Sequence, residues 1–370
     1  MGCRWFVGVP LVLLAAAGAV GAQAIPRVIE HVTVYREADR FAGWPANQGI
    51  WSWGDEIVVG FTLGYHDDQK TSGHPIKDPR VVRLARSLDG GRTWSIEVPP
   101  FSLDEPEPPP QACPGGIDFH HPDFALRFNP FQPIFYYSLD RCRTWKGPFR
   151  FPEFGRPGIL SRTEYLINGP HDLMVFLTAE KDQGNEGWPF CARTQDGGAT
   201  WEFVGWIGPQ PPIQGYGYSI MPSAVRLANG GLLASIRRAG QFDGQRRWWL
   251  ETFLSPDDGQ SWYQLDQPTI DNAGNPASLL TLDDGRVVLV YGWRHPPYGE
   301  RARLSSDQGQ SWSREVVLRA DGDSWDIGYP RSVQRADGSI VSVIYFKDAT
   351  SKERYITATI WDPGTVRDDG

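Results

Sequence analysis

An eight-residue pattern, Ser/Thr-x-Asp-x-Gly-x-Thr/Ser-Trp, recurs along the chain and constrains its fold more than any other feature. Four copies are SLDGGRTW (87–94), TQDGGATW (194–201), SPDDGQSW (255–262) and SSDQGQSW (305–312). A fifth copy, SLDRCRTW (138–145), carries Cys142 where the others carry glycine. Successive copies start between 50 and 61 residues apart. A period near 50 in strand-like surroundings is typical of a β-propeller, in which each repeat forms one four-stranded blade.

Each octet has the composition of a hairpin turn that caps itself. The Asp carboxylate can accept hydrogen bonds from backbone N–H groups of its own turn. The Gly permits a positive φ, and the Trp buries a large ring beneath the turn. We therefore expect structural and not catalytic roles, at the periphery of the blades, for Asp89, Asp140, Asp196, Asp257 and Asp307.

A second recurring element is an apolar segment that follows a short turn. Clear copies are ANGGLLASIRR (228–238), DDGRVVLVYGWR (283–294) and ADGSIVSVIYF (336–346), and looser copies start at residues 54 and 169. Asn-Gly and Asp-Gly pairs mark hairpins, and near-continuous apolar runs are typical of inner strands buried between blades.

The last apolar copy has no octet after it, so its blade needs strands from elsewhere. The segments ERYITATIWDP (353–363) and VIEHVTVYRE (28–37) are both strand-like and can complete a sixth blade between them. A seventh blade would need a further repeat, and no such repeat is found in the sequence. We predict an all-β chain in which residues 25–370 form a single six-bladed β-propeller with octet hairpins.

The first 24 residues have the pattern of an export signal. Arg4 precedes a long apolar run, and Ala22-Gln23-Ala24 fits the small-x-small cleavage rule. We therefore expect cleavage after Ala24 and a secreted or periplasmic protein without stable membrane insertion. An uncleaved anchor is the alternative that the same apolar run allows.

Charge and cysteine content narrow the classes of partner and cofactor. The net charge of −8 argues against general nucleic-acid binding. Three cysteines follow the signal, Cys113, Cys142 and Cys191, and an odd number leaves at least one thiol free. No pair of cysteines and no cluster of histidines has the spacing of a metal site, and no cofactor is expected.

The octets, the export signal and the chain length together resemble the sialidase-type propellers, whose octets are known as Asp-boxes or BNR repeats. The stretches FAGWPANQGIWSWGDEI (41–57) and GYPRSVQRADG (328–338) further resemble a bacterial exo-α-sialidase-like subgroup. In that family three arginines bind the substrate carboxylate, a tyrosine assisted by a glutamate is the nucleophile, and an aspartate is the general acid. A neutral tyrosine suits a substrate that is anionic at its anomeric carbon, because that substrate would repel a carboxylate nucleophile.

For the tyrosine and the arginines, the resemblance implies specific positions. The nucleophile would be Tyr329, which precedes the final turn and strand. The second arginine would be Arg237, with Arg238 as its alternate, and the third would be Arg301, with Arg303 as its alternate. For the first arginine, an alignment on the proline of GWPA puts a glycine at the position, and Arg40 is the nearby basic residue.

For the carboxylates, the resemblance is less direct. The general acid is expected in YHDDQKTSGHPIKDP (65–79), where Asp78 is the first choice, Asp67 the second, and His74 a companion. The family's glutamate falls at Met221, and the nearest substitutes are Glu164 and Glu251, of which we take Glu164 as the catalytic candidate. Without such a base a tyrosine is a weak nucleophile at neutral pH.

Two further features concern the central channel and the sugar site. Arg331 lies two residues after Tyr329, so it shares the same strand face and is expected to line the central channel. Trp44, Trp51 and Trp53 can stack on sugar rings, and blade packing explains them equally well.

Three functions follow from these patterns. The first is an exported exo-α-sialidase that cleaves terminal sialic acid with retention through Tyr329. The second is a hydrolase or lyase for another acidic sugar such as a uronate, which keeps the arginine–carboxylate recognition and accounts for Met221. The third is a non-catalytic propeller that binds glycans or a protein. An enzyme requires Arg237, Arg301 and Tyr329 to converge on one channel mouth.

Overall fold

The computed structural model describes residues 25–102, 108–160, 162–182, 186–209, 217–242, 244–266 and 268–365. The predicted signal peptide, residues 1–24, lies outside these ranges. Within them the chain is almost entirely β-strand, with one four-residue helix, and the strands form six sheets. No helix in the described ranges is long and apolar enough to cross a membrane.

The first strand, β1 (Arg27–Tyr35), belongs to the last blade, and the following strands build blades 1 to 3 in order. Blade 1 contains β2 (Arg40–Gly43), helix α1 (Pro45–Gln48), β3 (Ile50–Trp53), β4 (Glu56–His66), β5 (Ile76–Ser87) and β6 (Ser95–Glu97). Blade 2 contains β7 (Ala125–Phe128), β8 (Ile134–Ser138) and β9 (Lys146–Arg150). Blade 3 contains β10 (Ile159–Leu160), β11 (Tyr165–Gly169), β12 (Asp172–Glu180), β13 (Glu186–Thr194) and β14 (Glu202–Trp206).

Blades 4 to 6 have four strands each. Blade 4 contains β15 (Tyr218–Arg226), β16 (Leu232–Phe242), β17 (Gln245–Ser255) and β18 (Tyr263–Gln264). Blade 5 contains β19 (Ala277–Thr281), β20 (Val287–Trp293), β21 (Tyr298–Ser305) and β22 (Val316–Gly322). Blade 6 contains β23 (Gly328–Gln334), β24 (Ile340–Phe346) and β25 (Tyr355–Asp362), with β1 as its outermost strand.

The two ends of the chain close the ring together. Strand β1 runs antiparallel to β25, with Val32 opposite Ala358, and the sheet has the strand order β23, β24, β25, β1. The prediction of six blades, the last completed by the N-terminal strand, is therefore confirmed.

The recurring apolar segments are the second strands of their blades, which have hydrogen-bonded neighbours on both sides. In blade 4, Leu233 of β16 lies between Val225 of β15 and Leu254 of β17. Leu233 is fully buried and packs in one cluster with Leu289 of blade 5. Because each such side chain contributes about 1.5–3 kcal/mol when it leaves water, the seams between blades hold the ring together.

The Asp-box hairpins adopt the geometry that their sequence predicts. In the first, Asp89 Oδ1 accepts the backbone N–H groups of Arg92 and Thr93 at 3.0 and 2.8 Å. The indole N–H of Trp94 donates to the carbonyl of Gly91 at 2.9 Å. In the variant copy, Cys142 takes the place of the glycine at φ 66° and is buried. Cys113, Cys142 and Cys191 are all buried and form no disulfide.

Candidate functional site

The innermost strands of blades 1, 4 and 6 share a local distortion at the same end of the ring. Each carries a residue at positive φ directly before a proline: Trp44 (58°), Met221 (55°) and Tyr329 (52°). In blades 4 and 6 the pairing shifts register there, between Ile220 and Ser223 and between Gly328 and Arg331. A non-glycine residue in this conformation costs about 1–2 kcal/mol, so the surrounding contacts must hold it.

One such contact holds Tyr329. Its backbone N–H donates to Asn275 Oδ1 at 2.9 Å, which ties blade 6 to blade 5. The distortion brings the phenol ring toward the second strands, where its centroid lies 5.9 Å from that of Tyr345.

Arg237 and Tyr329 meet at this end of the ring, as predicted from the sequence. Arg237, in the middle of β16, donates from Nη1 to the Tyr329 hydroxyl at 3.0 Å. The same Nη1 lies 3.6 Å from Met221 Sδ. The Arg237 guanidinium thus contacts both the Tyr329 phenol and the Met221 thioether. The thioether occupies the position at which the resemblance places a glutamate.

A second arginine, Arg294, joins them from blade 5. It follows β20 directly, as Arg237 ends the apolar run of β16, and its guanidinium carbon lies 5.7 Å from the Tyr329 ring centroid. Its Nη2 donates to the Tyr345 hydroxyl at 3.0 Å, and its other nitrogens donate to two backbone carbonyls. Sequence reasoning missed Arg294, although its place after the second strand, in DDGRVVLVYGWR, was the signal that selected Arg237.

A buried carboxylate completes the cluster. Asp326 has no exposed surface, and its Oδ1 accepts hydrogen bonds from the Tyr345 hydroxyl and from His74 Nδ1, both at 2.6 Å. Arg354 Nε lies 3.2 Å from Oδ2. Burial alone would raise the pKa of Asp326, but the bonds from His74 and Tyr345 and the charge of Arg354 outweigh it and lower that pKa. Asp326 is therefore ionised at neutral pH.

His74 stands at the edge of the cluster between two tryptophans. Its ring centroid lies 5.0 Å from Trp44 and 5.9 Å from Trp325, whose side chain is largely exposed. A histidine held through Nδ1 by a carboxylate has Nε2 for proton transfer to or from a ligand. We refer to the following six residues as the mouth cluster: Arg237, Tyr329, Arg294, Tyr345, Asp326 and His74.

Arg301 does not reach the mouth cluster, so the expected convergence of three residues is wrong for Arg301, and Arg294 is the second guanidinium beside the Tyr329 ring. Its guanidinium is buried within blade 5, where it donates to the backbone carbonyls of Pro297, Glu300 and Arg319. Its Nε lies 3.2 Å from Glu315 Oε1. Residue 301 lies on the third strand of its blade, whereas Tyr329 lies on the first strand of blade 6 and Arg237 on the second strand of blade 4.

The alternate arginines and Arg40 also lie outside the mouth cluster. Arg238 points to the opposite face of β16 from Arg237 and is paired with the buried Glu251. Arg303 lies beside the Tyr291 hydroxyl in blade 5. Arg40 stacks its guanidinium carbon 4.2 Å from the Tyr65 ring centroid, because its neighbour Phe41 takes the face that packs on Tyr345.

Neither proposed general acid contacts Tyr329. Asp78 has a side chain that is 80% exposed and lies 3.2 Å from Arg80 Nε. Asp67 caps a turn by accepting the N–H of Gln69 at 3.1 Å. Of the segment 65–79, only His74 enters the mouth cluster, through its bond to Asp326.

Glu164 and Arg331 form a buried pair across the central channel. Blades 3 and 6 face each other in a six-membered ring, and Arg331 Nη1 reaches Glu164 Oε2 between them. Glu164 Oε1 also accepts from Ser223 Oγ and the Ala224 N–H at 3.1 and 3.0 Å. Arg331 thus lines the channel as expected, whereas Glu164 is fully engaged there and is not a base for Tyr329. We call this pair the channel pin.

The structure gives different roles to Trp44 and Trp51, which the sequence left undecided between sugar stacking and packing. Trp44 lies in the mouth, in contact with His74. Trp51 is buried, and its indole N–H donates to the Leu126 carbonyl of blade 2 at 3.2 Å, so it serves packing between blades. Within the described ranges, no group of three or more His, Cys, Asp or Glu side chains is placed to hold a metal ion.

The fold and its five octets define a propeller of the Asp-box type. Residues 134–342 match the BNR repeat-like domain, which is more than half of the chain. The chain therefore belongs to the BNR repeat-like domain family, and its resemblance to the sialidase-type repeat is confirmed. A search of curated proteins found no match.

Solved structures share the fold over nearly the whole chain. A protein of unknown function from Dyadobacter fermentans has a TM-score of 0.70 at 20% identity, covering 91% of this chain and 99% of its own. An α-L-arabinanase from Penicillium chrysogenum, in complex with arabinobiose, has a TM-score of 0.60 at 13% identity over 91% and 99%. An α-L-arabinofuranosidase from Fusarium graminearum has a TM-score of 0.59 at 12% identity over 90% and 97%.

Proposed function

We propose that the protein is an exported glycan-cleaving enzyme that binds an acidic sugar at the mouth cluster. The observation that carries the proposal is the 3.0 Å contact between Arg237 and the Tyr329 hydroxyl, made by two residues far apart in sequence. Fold neighbours named as an arabinanase and an arabinofuranosidase support a carbohydrate as the substrate class. Because fold alone does not determine chemistry, the residues of the mouth cluster must carry the rest of the argument.

Charge favours an acidic sugar over a neutral one. The whole chain is acidic, yet Arg237 and Arg294 lie beside Tyr329, and Arg354 lies beside the buried Asp326. A guanidinium pairs well with a planar carboxylate and stays charged at any working pH. A local basic cluster attracts one anionic group without making the whole surface bind anions.

Tyr329 and His74 are the groups that can move protons. The phenol lies against Arg237, which would hold the sugar carboxylate next to it. The imidazole is oriented by Asp326, as in sites where a carboxylate fixes the tautomer of a catalytic histidine. General acid–base groups of this kind contribute about 10²–10⁴-fold to a rate.

An exo-α-sialidase is the first specific reaction. The Tyr329 oxygen would attack the anomeric carbon, the bond to the leaving oxygen would break as that oxygen gains a proton, and water would then release the sugar with retention. This route needs a base for the phenol proton. Met221 occupies the position of that base, and a thioether cannot take up a proton at neutral pH.

A lyase or hydrolase for a uronate is the second candidate, and Met221 favours it. In a lyase, a base removes the proton beside the sugar carboxylate, the neighbouring C–O bond breaks, and an unsaturated sugar results. Arg237 would stabilise the charge that develops on the carboxylate, His74 would take the proton as the base, and the Tyr329 hydroxyl would donate its proton to the leaving oxygen as the acid. No carboxylate nucleophile and no activated phenol are required.

The test is a substrate panel on the purified protein. Turnover of 4-methylumbelliferyl N-acetylneuraminate is read by fluorescence, and turnover of polygalacturonate and alginate by reducing ends and by ultraviolet absorbance of unsaturated products. We expect activity on one acidic substrate, reduced about 100-fold or more by Tyr329→Phe. Arg237→Lys should raise KM and lower kcat, because an ammonium group cannot reproduce bidentate pairing.

Tyr263→Phe is the matched control, since Tyr263 is exposed on the outermost strand of blade 4. Its kcat and KM should equal those of the unmodified protein. Binding of these sugars without turnover would contradict an enzyme and support a glycan-binding propeller.

A further inference from the structure

We infer that a second pocket, between blades 1 and 2, binds the sugar residue that neighbours the one held at the mouth cluster. This inference rests on the proposed function. The pocket has a volume of about 280 Å³ and is lined by residues of α1, β4 and β5 on one side and by residues of β7 and the following turn on the other. We call it the blade 1–2 pocket.

The blade 1–2 pocket borders the mouth cluster at one side chain. Trp44 lines the pocket and also contacts His74, with ring centroids 5.0 Å apart. A ligand that occupies both places therefore passes over a single indole ring. A larger cavity, of about 770 Å³, lies between blades 2 and 3, and Trp44 is not among the residues that line it.

An unsatisfied polar atom marks the blade 1–2 pocket as a binding site. Asn47 lines it, is only 7% exposed, and has no hydrogen-bond partner for its Oδ1 among the described residues. A buried acceptor without a donor costs about 1–3 kcal/mol. A sugar hydroxyl that reaches Oδ1 would supply the missing donor.

Aromatic and charged walls fit the rest of a sugar ring. Phe131 lines the pocket and is 74% exposed, so burial of its ring under a ligand is favourable. The opposite wall is rigid, because the Arg127 guanidinium stacks 3.9 Å from the Phe101 ring and donates to Gln48 Oε1 at 2.8 Å. Asp78 and Arg80 stand at the rim and offer both signs of charge to ring hydroxyls.

The volume sets the size of the occupant. Sites for drug-sized ligands run from about 300 to 1,000 Å³, so this pocket holds one small unit and not a chain. A single pyranose or furanose residue matches the volume, the lone acceptor and the aromatic rim. Asp78, expected from the sequence to be the general acid, thus becomes a residue that contacts the neighbouring sugar.

The experiment compares sugars with and without that neighbouring residue. Isothermal titration calorimetry in a Tyr329→Phe background measures Kd for N-acetylneuraminic acid against 3′-sialyllactose, and for galacturonate against trigalacturonate. We expect Phe131→Ala and Asn47→Ala each to raise Kd for the longer sugar about fivefold to tenfold and to leave Kd for the single sugar unchanged. Leu88→Ala is the matched control, because Leu88 is 68% exposed and lies in an Asp-box hairpin.

Each outcome decides between the pocket and the mouth cluster. If Phe131→Ala and Asn47→Ala change Kd equally for long and single sugars, or change neither, the blade 1–2 pocket is overturned. The proposed function then stands if Arg237→Lys still raises Kd for the single sugar. If Phe131→Ala raises Kd for the longer sugar while Arg237→Lys raises Kd for no sugar, the pocket is supported. The mouth cluster is then overturned as the anchor. Absence of binding by all four sugars overturns both.

Discussion

Met221 decides more about the chemistry than any other single residue. Its Sδ lies 3.6 Å from Arg237 Nη1, on the guanidinium that also donates to Tyr329, and it is 4% exposed. A carboxylate at this place would pair with Arg237 and could accept the phenol proton, and a thioether can do neither. Residue 221 therefore supplies no negative charge to Arg237, which agrees with the proposal that Arg237 holds an anionic group of the substrate.

Glu300 is the most strongly perturbed carboxyl group away from the mouth cluster. It has no exposed surface between blades 5 and 6, and its Oε2 accepts a hydrogen bond from Thr359 Oγ1 at 2.9 Å. Burial raises the pKa of Glu300 to about 8, against smaller opposing effects of Thr359, Arg319 and Arg301. The side chain is therefore protonated in the folded protein at neutral pH and ionised in the unfolded chain.

This difference predicts that Glu300→Gln stabilises the protein at higher pH. Between the ordinary carboxyl pKa, about 4.3, and about 8 the folded state binds one more proton than the unfolded state, so stability falls as pH rises. Glutamine has nearly the same shape, keeps the bond to Thr359 and carries no proton to lose. We expect the variant to be about 2 kcal/mol more stable at pH 8, with little difference near pH 4.5, by urea unfolding at each pH.

Because other groups titrate over the same range, the informative quantity is the difference between variant and unmodified protein. Glu202→Gln, on an exposed position of β14, should leave the unfolding curve unchanged and serves as the control. A difference for Glu300→Gln that is the same at pH 5 and pH 8 would show that the carboxyl group is ionised in the folded state.

At the scale of elements, the Asp-box is a stabilising hairpin that recurs in five of the six blades. In the first copy, Asp89 accepts from two backbone N–H groups and from the hydroxyls of Ser87 and Thr93. Burial is the largest single effect and opposes ionisation, but the hydrogen bonds together outweigh it and lower the pKa of Asp89 to about 2. Within the described part of the chain, the two backbone N–H groups have no carbonyl partner in the tight turn, and the carboxylate accepts their hydrogen bonds instead.

Removal of this carboxylate should destabilise blade 1. Asp89→Ala leaves two turn N–H groups without their acceptor, which costs about 1–2 kcal/mol by analogy with helix caps. Since the folded pKa of Asp89 is lowered, its contribution is complete above pH 4 and is lost as pH falls toward 2. Urea unfolding should therefore show a constant deficit from pH 8 to pH 5 that shrinks at more acidic pH.

Asp283→Ala provides the comparison, because Asp283 is an exposed turn residue at the start of a hairpin. It should change the free energy of unfolding by less than about 0.5 kcal/mol. A similar deficit for both variants would mean that the Asp-box bonds contribute no more than any exposed turn.

These elements explain how far the sequence predicts the structure. Octets and apolar second strands are local patterns, so blade number, closure and the outer position of the Asp-boxes follow from them directly. The placement of Arg237 and Tyr329 follows too, since both lie at fixed positions within a blade. The prediction for Arg301 was wrong because a residue on a third strand can be close in sequence to the site and still pack within the blade.

Other contacts of the site have no local signal. Asp326 precedes β23 in a loop, and only the ring places it beside His74 of blade 1. The positive φ of Trp44, Met221 and Tyr329 does leave a trace, since each precedes a proline. That shared motif would have grouped the three residues before the structure did.

At the scale of the whole molecule, the channel pin joins five blades around the axis. Arg331 of blade 6 meets Glu164 of blade 3 and donates to the Ala46 carbonyl of blade 1. Ser223 of blade 4 donates to Glu164 and accepts the N–H of Leu279 of blade 5 at 2.9 Å. A propeller has no central core, so these polar contacts take its place and separate the mouth from the opposite end of the channel.

The channel pin should behave as one cooperative unit. Glu164→Gln or Arg331→Met alone leaves a buried charge without its partner, which costs about 3 kcal/mol. With both replaced, no unpaired charge remains, so the double variant should lose about 1–3 kcal/mol less than the sum of the single losses. Urea unfolding of all four proteins at pH 7 gives this coupling energy.

The matched cycle on Arg156 and Asp182, a pair whose aspartate is 75% exposed, should give well under 1 kcal/mol. Strict additivity at Glu164 and Arg331 would contradict the pin and restore Glu164 as a carboxylate free to act in the chemistry of Tyr329.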